Sequence, residues 1–325
     1  MLEGALGRFT YEAAAPIVQP ETVYDIASIT KVAATTAAAM LLYQGGVLDL
    51  DKLLSDLLPE FVALRSADDR ARRVRMRHLL AHSSGLPSYV ELFRTAKNPK
   101  ELLSACMQLP IEAEPGERAA YSDPGFILLG RAIEDLTGES LASWVGREVF
   151  GPLGMGATGF CPAEDARAGI PPTEEDATFR HRRIQGEVQD ENGWVLGGVG
   201  GHAGVFSNVA DLLRFAREIL EAAANKGRAK LHDAETIGLF AQRQGPKGSS
   251  RALGWDTPSE NSSSGSHFSS YSIGHLGYSG CSLWIDLMDE IAVVLLTNRT
   301  WPDRQSQLIR TVRPAFHDAV REALR

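Results

Sequence analysis

Cysteine is scarce in this chain of 325 residues: Cys106, Cys161 and Cys281 stand far apart, with no C-x-x-C among them. That excludes a disulfide framework and a zinc knuckle, and leaves three small hydrophobes for the core. Long apolar runs are missing as well, so no transmembrane helix is expected. Met1-Leu2-Glu3-Gly4 shows no basic segment followed by an apolar one. No export signal is legible there, and the sequence as given reads as cytoplasmic. Basic residues are outnumbered, 33 Lys plus Arg against 41 Asp plus Glu, for a formal charge of −8. An acidic balance of this size argues against nucleic acid or an anionic membrane as the main partner.

Familiar signatures are absent too. No G-x-S-x-G nucleophile elbow occurs. His78 and His82 are four apart, as zinc ligands on a helix are, but no Glu follows the first, so packing or hydrogen bonding is expected and a metal is not. Gly198-Val199-Gly200-Gly201-His202-Ala203 matches G-x-G-x-x-A, yet Glu218 and Glu221 fall inside the following helix rather than at the end of a second strand. A dinucleotide site is therefore not expected, nor any other cofactor. A loop bordering a cleft, with His202 as a substrate contact, is the alternative.

What is present is a change of texture along the chain. Residues 5–25 are rich in strand formers broken by Pro16 and Pro20. Ser28 to Gln44 is Ala- and Leu-rich and stops at Gly45-Gly46, which predicts a central helix with a serine at its start. Amphipathic segments follow at Leu53–Leu58, Met76–His82, Pro99–Met107 and Phe126–Leu136; residues 151–206 are Gly- and Pro-rich; a helix is expected from Val209 to Ala224, capped by Ser207 or Asn208. Gly, Ser and Asn dominate 245–270, which reads as a loop or flap. Tyr271–Ile273, Ser282–Asp286 and Ile291–Thr297 then fit a meander, and Pro302 onward a closing helix. The pattern predicts an α+β fold of two lobes: an antiparallel sheet built from both chain ends (about 1–45 and 225–325) and an inserted helical lobe (about 46–224), forming a single domain with a cleft between the lobes.

Three groups of residues carry chemistry. Ser28 and Lys31 are three apart on a helix, so the amine reaches the hydroxyl, and Lys31 is the only one of seven lysines with a serine at that spacing. The bland alternative is a helix cap and a surface lysine. Tyr121-Ser122-Asp123 follows a Pro-Gly turn; Tyr121 could move a proton and Asp123 could hold the charge of Lys31, against the alternative of helix capping. His275-Leu276-Gly277-Tyr278 lies at a strand edge where Gly277 lets substrate approach and the N–H of Tyr278 could join that of Ser28 as an oxyanion hole, against the alternative of a glycine bulge.

In this order and at these separations, Ser28-x-x-Lys31, Tyr121-x-Asp123 and His275-Leu276-Gly277 resemble the family of class C β-lactamases, penicillin-binding proteins and related esterases. Tyr24-Asp25-Ile26-Ala27, the stretch from His78 to Pro87, Pro152-Leu153-Gly154-Met155 and the stretch from Gly201 to Ser207 resemble it too. The resemblance implies a two-lobed serine hydrolase that forms an acyl-enzyme at Ser28, with Lys31 and Tyr121 as the proton-transfer pair. It sets Asp123 where many relatives have Asn, and His275 where β-lactamases keep Lys. With Leu276 in place of Thr as well, the groups that hold a substrate carboxylate are altered. That favours a promiscuous esterase or peptidase, acting on an ester, amide or D-alanyl peptide, over a dedicated β-lactamase. His275 could recover the charge if protonated. A protein that binds or is acylated by penicillins but turns over poorly is the alternative. Relatives carry further elements ahead of the segment matching residues 5–25, and a shortened start would make the protein periplasmic or secreted. The expected partners are a small-molecule or peptide substrate, with the chain a monomer or homodimer.

Overall fold

The computed structural model describes residues 3–65 and 68–324. Of the N-terminal segment read for an export signal, the first two residues lie outside these.

Eight short strands are described: β1 Tyr24–Asp25, β2 Gly159–Phe160, β3 Glu174–Asp176, β4 Arg182–Ile184, β5 Val205–Ser207, β6 Ser272–Leu276, β7 Ser282–Asp286 and β8 Ile291–Leu295. The main helices are α1 Ala37–Gln44, α2 Met76–Leu80, α3 Pro99–Met107, α4 Asp123–Thr137, α5 Glu191–Val195, α6 Val209–Ala223, α7 Ala234–Ala241 and α8 Ile309–Ala323, with shorter turns between them. All pairings are antiparallel: β6-β7-β8 is a meander, β1-β5-β2 a second small sheet and β3-β4 a hairpin. The α+β expectation is met. The strand formers near residue 24 pair with β5 rather than with the C-terminal strands.

The meander forms where the sequence alternates most cleanly, and the turn at Leu287-Met288-Asp289-Glu290 is closed by Asp286, whose carboxylate accepts from the N–H groups of Met288 and Asp289. Helix α6 packs on β7 and β8, so this stretch of the expected helical lobe covers the sheet instead. Its start is capped by Asn208, whose Oδ1 accepts from the N–H of Asp211 at 2.9 Å. Its apolar face holds Leu212, Phe215, Ala216 and Ile219, spaced three and four apart and all fully buried.

The Ala-rich segment is the centre of the core. Ala33, Ala34, Ala37, Ala38 and Ala39 are all inaccessible to solvent. Small side chains let neighbouring backbones come close: a Cβ on Gly130 of α4 would stand 2.9 Å from the Cα of Gly201. The helix does not begin as an ordinary α-turn. Ala27–Ile29 forms a 3-10 turn, Lys31–Thr36 winds as a wider π-helical stretch, and α1 continues from there. Among the described residues, no helix is long and apolar enough to cross a membrane.

The segment expected as a flap is pinned in part. Asp256 and Gly274 exchange backbone hydrogen bonds at 2.9 Å in both directions, adding this stretch to the edge of β6. Leu253 and Trp255 are buried beside it, and Trp255 stacks on Phe215. Apolar anchors within a polar run are what hold it.

Candidate active site

The turn before Ser28 is strained. Ala27 has φ +47°, a left-handed conformation that costs a non-glycine residue of order 1 kcal/mol or more. The buried carboxylate of Asp25 accepts from the N–H of Ala27 at 2.8 Å and from that of Gln189 at 2.7 Å, which holds the turn in place. Burial pushes the Asp25 carboxyl up to about 6, against the pull of those two N–H groups. No side chain caps the helix at this point. The Ser28 hydroxyl is left to face other partners, so the capping alternative does not hold.

Those partners are Lys31 and Tyr121. The Tyr121 hydroxyl donates to Ser28 Oγ at 2.7 Å, and Lys31 Nζ donates to the same oxygen at 3.1 Å. Lys31 is not a surface lysine; it has no exposure at all. Its Nζ also donates to Asp123 Oδ1 at 2.6 Å and to the carbonyl of His202 at 3.0 Å. Three acceptors use the three protons of an ammonium, so the geometry is that of a cation. Burial works against that charge, but the carboxylate of Asp123 and the phenol of Tyr121 outweigh it and raise the lysine above its ordinary value. Tyr121 is itself pushed up to about 12, first by burial and then by Asp123, against the opposing pull of Lys31. At neutral pH the pair is therefore an ammonium beside a neutral phenol.

Asp123 is free to pair because its neighbour does the capping. Ser122 Oγ accepts from the N–H of Gly125 at 3.1 Å and donates to the carbonyl of Pro87 at 2.7 Å, which starts α4. Asp123 occupies the first turn with its side chain turned to Lys31.

On the opposite wall, β6 brings His275, Leu276 and Gly277 to the cleft, with Tyr278 just beyond. Glycine is required at 277: a Cβ there would lie 2.5 Å from the carbonyl oxygen of Ile26, two residues ahead of the serine. His275 is buried; its Nδ1 lies 2.8 Å from the Leu276 carbonyl, and its ring centroid is 6.0 Å from that of Tyr121. Burial first, and then the charges of Lys31 and Arg251, hold its pKa well below the ordinary histidine value. The recovery of a positive charge at His275 is thus corrected: a buried imidazole facing two cations stays neutral.

His202 needs a correction as well. Its side chain is 1% exposed and lies behind Asp190, with Nε2 2.8 Å from Asp190 Oδ1. It does not line the cleft. The wall carries Asp190 in its place, and His202 reaches the site through its carbonyl on Lys31. His78 and His82 are each hydrogen-bonded at Nδ1, which accepts a backbone N–H from Arg75 and Ser122 respectively.

The cleft has a volume of about 690 Å³, and Ser28, Tyr121, Asp123, His275 and Gly277 all face it. Sequence reasoning missed Arg251, Asp190 and Tyr89, which share the lining. Arg251 stands with its guanidinium carbon 5.4 Å from the Tyr121 ring centroid. No sequence spacing links it to Tyr121; the apolar Leu253 and Trp255 that anchor its loop were the available signal.

Comparisons with known proteins agree with this architecture. The sequence model of the family described as Beta-lactamase matches residues 7–314. A protein of Salmonella agona, provisionally named D-alanyl-D-alanine carboxypeptidase, is 30% identical over 304 residues, covering 86% of this chain and 69% of that protein. Among solved structures, simvastatin synthase from Aspergillus terreus superposes with a TM-score of 0.75 at 18% identity, over 98% of this chain and 89% of its own. EstCE1, a hydrolase with promiscuous acyltransferase activity, does so with a TM-score of 0.70 at 23% identity, over 95% and 88%. At those identities the structures speak for the fold alone, while the sequence matches decide the family. The chain belongs to the beta-lactamase family and is a serine hydrolase of that family.

Proposed function

We propose that Ser28 is the nucleophile of an acyl-enzyme reaction on an ester, amide or D-alanyl peptide bond, with Tyr121 as the proton carrier and Lys31 as a fixed cation. One observation carries the reading: the Ser28 hydroxyl oxygen receives both the Tyr121 hydroxyl and the Lys31 ammonium.

Ser28 Oγ attacks the acyl carbon, and its proton passes to the Tyr121 oxygen as the phenol proton passes to the leaving group. The phenol never has to become an anion, which suits a group pushed up to about 12. Lys31 stays protonated and stabilises the negative charge developing between Ser28 and Tyr121. The backbone N–H groups of Ser28 and Tyr278 hold the carbonyl oxygen of the tetrahedral intermediate. Water then enters where the leaving group was, gives a proton to Tyr121, and the serine recovers its own. All these groups come from one chain, so a monomer suffices.

A neutral His275 and an apolar Leu276 leave the third motif without a charge for a β-lactam carboxylate. Esters and amides are therefore favoured over β-lactams.

Steady-state hydrolysis of p-nitrophenyl butyrate by the wild type and by Ser28→Ala tests the reading. Turnover in the wild type that disappears in a folded Ser28→Ala supports it, as does an acyl adduct on Ser28 by mass spectrometry. Equal turnover in both proteins overturns it.

A further inference from the structure

His82 stands at a position where a helix asks for glycine. Helix α2 ends in a pair of hydrogen bonds: the N–H of Ser83 donates to the carbonyl of His78 at 2.8 Å, and the N–H of His82 to that of Leu79 at 3.2 Å. That pattern places the residue at 82 in the left-handed conformation, and His82 has φ +53°. Glycine fits there without strain; histidine does not. Strain of this kind persists where the side chain has another task.

The task is visible in what surrounds Tyr121. The carbonyl of His82 accepts from the N–H of Ala120 at 2.8 Å, and its Nδ1 accepts from the N–H of Ser122 at 3.0 Å. Both chain neighbours of Tyr121 are thus held by one residue. The imidazole also lies against the Tyr121 ring, centroids 4.7 Å apart, and against Phe126 at 4.9 Å. Accepting at Nδ1 fixes the tautomer: the ring proton is on Nε2, a buried atom with no hydrogen-bond partner among the described residues. Among the described residues no hydrogen bond joins His82 to Ser28; its hydrogen bonds and its ring contact reach the serine by way of Tyr121.

We infer that His82 is a positioning residue for Tyr121, clamping the backbone on both sides of the tyrosine and packing on its ring so that the phenol oxygen stays within proton-transfer distance of Ser28. This deepens the proposed function and rests on it. A displacement of about 1 Å at such a site costs up to two orders of magnitude in rate without altering substrate binding.

Two substitutions separate the clamp from the helix stop. His82→Gly suits the left-handed backbone but removes the acceptor and the ring. His82→Asn tolerates the same backbone and keeps an acceptor oxygen near the place of Nδ1. Both are assayed on p-nitrophenyl butyrate, with turnover normalised to the fraction of sites that acylate and folding followed by circular dichroism. The expected result is a fall in kcat of about 30- to 100-fold in His82→Gly, with KM within twofold. His82→Asn should recover at least about tenfold of that loss. A kcat unchanged in His82→Gly overturns the inference, as do equal losses in the two variants or parallel changes in kcat and KM. A wild type indifferent to Ser28→Ala would instead sink the proposed function, and the two failures are distinct.

Discussion

The two walls of the cleft are built on opposite electrostatic plans. The helical wall carries a buried ion pair, Lys31 and Asp123 at 2.6 Å, with every proton of the ammonium used. The strand wall presents a neutral His275, an apolar Leu276 and backbone groups around Gly277. On the first wall, charge sits beside the Ser28 hydroxyl and is held by three hydrogen bonds. On the second, shape matters and the third motif carries no charge, Arg251 standing near it with its guanidinium carbon 5.4 Å from the Tyr121 ring centroid. On the proposed function, catalysis falls to the helical wall and substrate choice to the strand wall and its neighbouring loop.

Removing the cation from the helical wall should have the largest effect. Lys31→Ala leaves the Asp123 carboxylate, 13% exposed, without its partner and takes one of two hydrogen bonds from Ser28. The expected loss of kcat is on the order of 1,000-fold, with about 3–5 kcal/mol of stability gone as the buried pair is broken. Turnover assays and urea denaturation measure the two separately. Activity within tenfold of the wild type would put catalysis elsewhere than on this wall.

Neutralising the partner tests the same wall more gently. In the wild type, burial lowers the Lys31 pKa but Asp123 more than offsets it, so the folded value lies above the unfolded one. The stabilisation this provides is fully present below the unfolded value of about 10.4 and is lost as pH rises through the folded value. Activity that depends on the ammonium should likewise persist into alkaline pH. Asp123→Asn removes the larger of the two contributions that oppose burial and leaves only that of Tyr121, so the alkaline limb of the kcat profile should move down by at least about one pH unit. A profile that superposes on that of the wild type would show that Asp123 does not set the charge of Lys31.

How far the sequence anticipated all this differs between the walls for a physical reason. The Ser28–Lys31 spacing is local geometry, one helical turn, and it survives even though the helix there winds as a 3-10 turn and then a π-helix. Tyr121 and Asp123 are legible from a turn followed by a helix start, and the C-terminal meander from its alternation. The exposure of a side chain depends on what folds over it, and that is where the reading failed. His202 looked like a cleft residue within a glycine-rich loop, yet Asp190 covers it, and only its carbonyl reaches Lys31. His275 looked able to take a proton, but burial between two cations forbids it. Asp25 and Ala27, which set the strained turn before the serine, carried no signal of their own beyond the resemblance, because backbone conformation at a single residue leaves little mark on composition.

Arg251 decides whether the strand wall is electrically silent or has handed its charge to a neighbour. The guanidinium faces the cleft beside Tyr121, and its ion pair with Asp256 is long, at 3.8 Å. Oδ1 of Asp256 takes the Ser250 hydroxyl at 2.6 Å and the N–H of Thr257 at 3.1 Å, which leaves Oδ2 as the oxygen facing Arg251. A loosely paired arginine favours an acyl donor that carries a carboxylate, through a bidentate contact that a neutral ester cannot make. Arg251→Gln should lower kcat/KM on a carboxylate-bearing substrate about tenfold, equivalent to about 1.4 kcal/mol, while p-nitrophenyl butyrate changes by less than about twofold. Equal losses on both substrates would mean that Arg251 supports the Tyr121 ring rather than the ligand. The wall opposite the serine would then select by shape alone.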